Sequence, residues 1–164
     1  MLRRLLFAVL ALLTWAQPVA ARPLLLISID GLRPGDVIEA DKRGLKVPTL
    51  RRFLAEGSYA SGVRGVLPSV TYPSHTTLLT GASPARHGII ANQTFDPRQI
   101  NAAGWFWYAQ DIKVPTLWDA ARQAGLSVGN VHWPVSVGAK AIDWNLPQYW
   151  RTGHADDAKL LALL

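Results

Sequence analysis

The apolar residues of the first half of the chain are spaced as in alternating strands and helices. Residues 24–29 form a continuous apolar run that ends at Asp30, a pattern typical of a strand buried on both faces. Residues 48–57 run from a proline to a glycine with apolar side chains at helical spacing, which predicts a helix of two to three turns. Residues 58–66 alternate small and apolar side chains and predict a second strand.

Two further helices are predicted downstream. Residues 74–79 follow a proline and end near a glycine, which predicts a short helix with Ser74 near its N-cap. Residues 114–125 predict a longer helix. Thr116 can cap that helix, and Asp119 stands three residues on, in a position like that of a capping box.

The remaining pattern completes an α/β order. Residues 126–131 predict another strand, residues 156–164 begin a last helix, and Trp118 is expected to fill the core. Strands that alternate with helices through short connections indicate a right-handed α/β layer with a parallel sheet.

The N-terminus has the layout of a secretory signal. A basic start precedes an apolar run over residues 5–15, and Val19, Ala20 and Ala21 form the small-residue pattern of a cleavage site. The run is shorter than the roughly 20 residues that span a bilayer. Residues 1–21 are therefore predicted to be a signal peptide cleaved after Ala21, with an uncleaved N-terminal anchor as the alternative.

Charge and cysteine content narrow the function classes. The formal net charge is +6, but most of the basic residues are scattered. Residues 42–52 form the one basic cluster, and no aromatic residues are interleaved in it. A nucleic-acid module is therefore not predicted, whereas an anionic substrate is favoured. The chain has no cysteine, and an exported chain without disulfides fits a bacterial periplasm better than a eukaryotic extracellular space.

Asp30 and Thr71 are the first candidates for chemistry. Asp30 follows a predicted strand, where open α/β sheets place ligand-binding groups, although Asp-Gly pairs are also common in turns. Thr71 lies between Pro68 and Pro73, in a predicted bend ahead of a helix N-terminus that favours an anion. These residues suggest a metal ligand and a nucleophile; a turn aspartate and a capping threonine are the alternatives.

The other polar candidates carry weaker signals. His75 and His87 lack paired metal-ligand spacing, so structural hydrogen bonds near the site are expected rather than coordination. Asn92 is an amide donor in a predicted loop. The chain contains no phosphate-binding G-x-x-x-x-G-K-[ST] loop and no H-E-x-x-H motif.

Taken together, these segments resemble the nucleotide pyrophosphatase/phosphodiesterase family of the alkaline phosphatase superfamily. The resemblance covers nearly all of residues 23–140, and its most specific part runs from Pro68 to Asn92. It implies an α/β fold with a doubly wound, mostly parallel sheet of the alkaline phosphatase type, incomplete in this chain.

The resemblance also implies the roles of four residues. Thr71 corresponds to the nucleophile and, with Asp30, to a ligand of one of two zinc ions. Asn92 corresponds to the amide that holds a phosphoryl oxygen. Tyr72 stands where the family places an aromatic ring beside the leaving or retained group, although a packing role is an equal alternative.

One element of the family is missing. The resemblance implies further Asp and His ligands, including an Asp-x-x-Gly-His element, and residues 151–157 carry these residue types in a different order. Two protein ligands do not make a zinc site, which takes three or four. Residues 22–164 are therefore expected to be the N-terminal part of a longer domain, with at most a partial metal site and no activity alone.

The expected function is zinc-dependent hydrolysis of phosphodiester or pyrophosphate bonds in nucleotide-type substrates, through a phosphothreonine intermediate. The expected partner is thus a small phosphate ester or nucleotide, and no stable membrane span is expected after signal cleavage. A related phosphonate or phosphomonoester hydrolase is one alternative. A truncated, non-catalytic domain that binds an anion or a partner is the other.

Overall fold

The computed structural model describes residues 22–98 and 104–149. These residues belong to two compact units, Met1–Val47 and Pro48–Leu164, which are treated separately below. The predicted signal peptide over 1–21 and the predicted helix over 156–164 lie outside the described residues, so both stay predictions.

Over residues 22–47, the first unit shows one short helix, α1 (Pro34–Ile38), and a 3₁₀ turn at Asp41–Arg43. Proline is the first residue of α1, where its missing N–H costs nothing because the first N–H groups of a helix have no intrahelical acceptor. The predicted strand over 24–29 is wrong. Its residues are exposed and lack regular structure, because no described strand pairs with their backbone groups.

The second unit contains most of the regular structure. Among its described residues, Ala109–Asp111 form a 3₁₀ turn. The helices are α2 (Pro48–Glu56), α3 (Thr71–Thr80), α4 (Pro84–His87) and α5 (Leu117–Gln123), and the strands are β1 (Gly129–Val131) and β2 (Trp144–Leu146).

Helices α2 and α5 confirm the sequence prediction. Helix α2 ends before Gly57, as predicted. At α5 the Thr116 hydroxyl accepts from the Asp119 N–H at 3.2 Å, and the Asp119 carboxylate accepts from the Thr116 N–H at 2.7 Å. This reciprocal pair satisfies two N–H groups that the helix itself leaves without acceptors. Trp118 is buried, as expected of a core residue.

Helix α3 begins three residues earlier than predicted. Its first residue is Thr71, its N-cap is Val70, and Ser74 lies inside the first turn, donating its N–H to the Val70 carbonyl at 3.1 Å. Pro73 is the third helical residue, where a proline is tolerated because the N–H that it lacks would have no intrahelical acceptor. Thr71 is therefore the first residue of the helix rather than part of a bend ahead of it.

Strands β1 and β2 pair in parallel, with Asn130 opposite Asn145. Strand β1 confirms the strand predicted over 126–131, in shorter form, whereas β2 was not predicted. The predicted strand over 58–66 is absent, because no described segment pairs with it. The described part of the chain thus shows helices and one parallel strand pair, an α/β arrangement without the doubly wound sheet.

Two apolar clusters form the core in the part of the second unit that the structure describes, and α3 contributes to both. Tyr72 and Leu79 are seven residues apart, so they lie on one face of the helix. Tyr72 packs with Ile89, Trp107 and Val135, while Leu79 packs with Trp118, Val128 and Ile142. The start of α3 is thereby anchored in the core by the residue that follows Thr71.

No helix within residues 22–98 and 104–149 combines the length and the apolar character needed to cross a bilayer.

Candidate active site at the start of helix α3

The peptide group between Thr71 and Tyr72 is held by side chains at both of its polar atoms. The Tyr72 N–H donates to Asn92 Oδ1 at 2.9 Å. The Thr71 carbonyl accepts from Nδ1 of His75 at 2.8 Å. Thr71 itself is half-buried. The candidate nucleophile therefore stands beside a backbone group whose orientation is fixed from two directions.

Asn92 is placed by a short antiparallel pairing. Its carbonyl accepts from the Phe106 N–H at 3.0 Å, and two residues later the Thr94 N–H donates to the Gly104 carbonyl at 2.7 Å. An isolated bridge between Gln93 and Trp105 lies between these bonds. The backbone that carries Asn92 is thus held by main-chain hydrogen bonds on either side of the bridge.

The hydrogen bond to Tyr72 determines which way the Asn92 amide faces. A backbone N–H can only donate, so the atom that meets it is the amide oxygen, and the other amide atom is the donor Nδ2. No described residue hydrogen-bonds Nδ2. Asn92 therefore brings a donor close to the first turn of α3.

This donor matters because the N–H groups of residues 72–74 are not available to a ligand. The Tyr72 N–H is engaged by Asn92, Pro73 has none, and the Ser74 N–H closes the first helical bond to Val70. The predicted anion site at a helix N-terminus therefore depends less on these amides than the sequence suggested. Asn92 Nδ2, together with the positive end of the helix dipole, is the favourable feature that the structure shows.

His75 makes the structural hydrogen bond expected of it. Because a carbonyl oxygen only accepts, Nδ1 of His75 carries the proton in the bond to Thr71. The ring is 8 % exposed and meets Trp133 edge-on, with centroids 5.3 Å apart. The ring is thus confined in both position and tautomer.

His87 is also structural, as expected. Its Nδ1 accepts from the Ile89 N–H at 3.1 Å, so Nε2 carries the proton and donates to the Thr77 hydroxyl at 3.0 Å. The ring is fully buried, and this desolvation lowers the pKa of His87. His87 is therefore a neutral residue that joins α3 to the end of α4.

Tyr72 lies in an aromatic cluster. Its ring centroid is 5.2 Å from that of Trp105 and 6.4 Å from that of Trp107. Burial raises the pKa of the Tyr72 phenol well above its usual range, so the hydroxyl stays protonated. Of the two roles that the sequence left open, packing is the one the structure shows, and contact with a ligand stays a prediction.

Asp30 lies in the first unit, in a turn from Ile29 to Leu32 whose N–H···O distance is 3.4 Å. Gly31 has φ +75°, the left-handed conformation that a glycine adopts without strain. Thr71 belongs to the second unit. The two candidate metal ligands, Asp30 and Thr71, are therefore described separately, each in its own unit. Within the described ranges, no three His, Cys, Asp or Glu side chains are grouped as a metal site requires.

Two features of the site were missed by sequence reasoning. One is the double restraint of the Thr71–Tyr72 peptide, for which the i,i+4 spacing of Thr71 and His75 was the available signal. The other is the contact of Trp133 with His75, which no local pattern predicts.

Comparison with known proteins identifies the family. The family model described as type I phosphodiesterase / nucleotide pyrophosphatase matches residues 24–159, which is most of the chain. The chain belongs to this family. The resemblance inferred from the motif around Thr71 is therefore confirmed.

Relatives of known name support the same assignment. The chain is 32 % identical over 123 residues to human ectonucleotide pyrophosphatase/phosphodiesterase family member 1. The matched region covers 70 % of this chain and 12 % of the human protein. Its identity to the rat protein of the same name is 29 % over 154 residues, or 87 % of this chain and 16 % of the relative. A venom phosphodiesterase of Macrovipera lebetinus is 31 % identical over 125 residues, 70 % of this chain and 14 % of its own length.

The type I phosphodiesterase family consists of hydrolases with an α/β fold of the alkaline phosphatase type. The described residues of this chain show helices and one parallel strand pair of such a fold. The chain spans between 12 and 16 % of the length of these three relatives.

Proposed function

We propose that this chain is the N-terminal part of a longer, zinc-dependent enzyme that hydrolyses phosphodiester or pyrophosphate bonds in nucleotide-type substrates. In this proposal Thr71 is the nucleophile and carries a phosphothreonine intermediate. The family membership supports the reaction class. The observation that carries the assignment of residues is the bond from the Tyr72 N–H to Asn92 Oδ1, which brings the Asn92 amide next to Thr71.

Thr71 and Asn92 divide the chemistry between them. The Thr71 oxygen attacks phosphorus and forms a P–O bond, while the bond to the leaving oxygen breaks and the leaving group takes up a proton. Asn92 Nδ2 donates to a non-bridging phosphoryl oxygen, where negative charge develops. Water then attacks the phosphothreonine and releases the phosphorylated product together with the Thr71 hydroxyl.

Zinc supplies the activation that a threonine hydroxyl lacks at neutral pH, since a bound cation lowers the pKa of the alcohol. Two zinc ions are proposed for the complete enzyme, one of them held by Asp30 and Thr71. Oxygen ligands suit zinc, but two of them do not make a site, and no group of three ligands occurs in the part of the chain that the structure describes. The remaining ligands are therefore proposed to lie elsewhere in the longer enzyme.

Tyr72 is proposed to contribute to substrate binding through the aromatic cluster in which it packs, since its own ring is buried. Trp105, half-buried beside it, extends that cluster towards solvent. A planar leaving or retained group, such as a nucleobase, fits such a surface because aromatic rings stack favourably. The proposed partner is accordingly a small phosphate ester or nucleotide rather than a nucleic-acid polymer.

Export to a bacterial periplasm is proposed from residues 1–21 and from the absence of cysteine in the sequence. The names of the relatives place them outside the cell, as ectonucleotide or venom enzymes. These names support export in general and leave the periplasm as the finer proposal.

The full-length protein that contains this chain tests the proposal. Turnover of a nitrophenyl nucleotide diester is compared with turnover of nitrophenyl phosphate, the monoester. We expect higher kcat/KM for the diester, and monoester preference would favour a phosphomonoester hydrolase. If the reading frame stops after Leu164, with no Asp-x-x-Gly-His element downstream, a non-catalytic anion- or partner-binding domain is favoured instead.

A further inference from the structure

His75 restrains the candidate nucleophile from the side opposite to Asn92. Asn92 accepts from the N–H of the Thr71–Tyr72 peptide, and His75 Nδ1 donates to the carbonyl of that same peptide. We propose that His75 is a positioning residue that fixes the Thr71 hydroxyl for attack. This inference rests on the proposed function, because it takes Thr71 to be the nucleophile.

The restraint reaches the hydroxyl through the backbone. A peptide group is planar, so fixing its oxygen and its N–H fixes the plane that follows the Thr71 Cα. Threonine is branched at Cβ and has few allowed χ1 rotamers, so the position of its oxygen follows closely from the backbone. Small misplacements of a reacting atom are costly, because productive attack needs near-contact geometry.

The environment of the His75 ring is suited to this role. The ring is 8 % exposed, and Trp133 meets it edge-on at 5.3 Å with an angle of 78° between the planes. The buried His75 ring packs against the large indole of Trp133. It cannot rotate to another position without opening a cavity. The Nδ1 bond to Thr71 is therefore held by packing as well as by its own energy.

The backbone conformation of the loop that carries Trp133 is held by specific contacts. His132 and Val135 have φ +57° and +56°, a conformation that residues other than glycine rarely adopt. Ser136 Oγ donates to the Trp133 carbonyl at 2.6 Å and accepts from Asn130 Nδ2 at 3.1 Å. Strained backbone persists where surrounding contacts over-determine it, and such positions cluster at functional sites.

Two substitutions of His75 in the full-length protein test the proposal. His75→Leu removes the donor, whereas His75→Asn keeps an N–H near the position of Nδ1. With a nitrophenyl nucleotide diester, we expect His75→Leu to lower kcat about 10-fold or more with little change in KM, since transition-state geometry is lost rather than substrate contacts. His75→Asn should recover most of kcat. If His75→Leu does not fold, His75→Gln replaces it, because its N–H matches Nε2 instead.

Thr80→Val is the matched control. Thr80 Oγ1 donates to the Thr76 carbonyl at 2.7 Å, so this variant removes the same kind of i,i−4 bond from the same helix, but far from Thr71. Its kcat should stay within about 2-fold of the wild type, since no interaction at the reacting atoms changes. An unchanged kcat in the donor-free His75 variant, or a His75→Asn variant as slow as it, would overturn the proposal.

Hydrogen exchange at the Tyr72 amide separates this inference from the proposed function. Loss of the His75 side-chain bond leaves the Thr71 carbonyl with its helical acceptor role alone, so exchange of the Tyr72 N–H should accelerate in His75→Leu and stay slow in His75→Asn. If Thr71→Ala retains turnover, the proposed function fails while this exchange still reports the restraint. If Thr71→Ala is inactive but His75→Leu shows wild-type kcat and exchange, the positioning role alone fails.

Discussion

The backbone N–H of Tyr72 donates to Asn92 Oδ1 at 2.9 Å, linking the first turn of α3 to a segment 20 residues further along the chain. One amide thus performs two tasks at once: its oxygen holds the helix start, and its nitrogen remains a donor beside Thr71. The two tasks can be separated by substitution, because an aspartate keeps the acceptor and loses the donor.

Asn92→Asp and Asn92→Ala are expected to differ in stability but not in their loss of activity. Both should lower kcat of the full-length enzyme by about 10²–10³, the range for loss of one oxyanion-type donor. Only Asn92→Ala should also destabilise the protein, by about 1 kcal/mol, because the Tyr72 N–H loses its acceptor. Diester kinetics and urea unfolding measure the two effects. Wild-type kcat in Asn92→Asp would show that Nδ2 does not contact the substrate.

Thr71→Ala should abolish turnover while leaving the fold intact. The side chain is half-buried, and alanine is a good helix former at the first position of α3. The measurement is diester hydrolysis together with mass spectrometry of the acid-quenched enzyme, in which the wild type should carry a phosphoryl adduct on the peptide containing Thr71. An adduct on another residue, or near-normal rates without Thr71, would remove this residue from the mechanism.

The buried His87 should make stability depend on pH. Its pKa is lowered in the folded protein, so below the ordinary value of about 6.5 the unfolded chain binds a proton that the folded chain does not. The free energy of unfolding should therefore be highest above pH 6.5 and fall as the pH drops from there. Urea unfolding between pH 8 and 5 measures the slope.

The matched variants for this test are His87→Gln and His132→Gln. The first should flatten the slope, whatever its effect on absolute stability, because the titrating group is removed. The second replaces an exposed histidine of the same unit and serves as the comparison. Equal slopes in the wild type and in His87→Gln would mean that His87 does not carry the pH dependence.

Thr116→Ala should destabilise the second unit by about 1 kcal/mol, the usual cost of losing an N-cap side chain. The variant removes the acceptor for the Asp119 N–H at the start of α5. Gln123→Ala, an exposed change on the same helix, should stay within about 0.5 kcal/mol. Urea unfolding followed by tryptophan fluorescence compares the two, and equal stabilities would contradict the capping role of Thr116.

The elements that were predicted correctly carry their own local signals. Helix α5 has Thr116 and Asp119 at capping-box spacing, and α2 runs from Pro48 to a glycine stop. Helix α3 was predicted, but its predicted start was three residues too late, because Pro73 was interpreted as preceding the helix. A proline inside the first turn looks the same in sequence as one just before it.

The predicted strands over 24–29 and 58–66 failed for a different reason. A strand forms only when a neighbour accepts and donates its backbone hydrogen bonds, and an apolar run does not contain its partner. Strand β1 formed because it pairs with β2, a segment of three residues that has no strong strand signal of its own.

The candidate site was predicted by residue type and by resemblance rather than by geometry. Asn92 and Thr71 were named together because a known motif spaces them so, but the bond through the Tyr72 N–H is a tertiary contact. The positive φ angles of His132 and Val135, which shape the loop around Trp133, were equally unpredictable, since a positive φ is uncommon for any residue other than glycine and is an outlier for a β-branched valine.

The most direct test is anomalous diffraction at the zinc edge from crystals of the full-length protein grown with zinc. The account predicts a zinc ion about 2.0–2.2 Å from both an Asp30 carboxylate oxygen and the Thr71 hydroxyl oxygen, the distances of ordinary zinc–oxygen ligation. A zinc ion bound by neither residue, or an Asp30→Asn variant with the same zinc site at full occupancy, would contradict it.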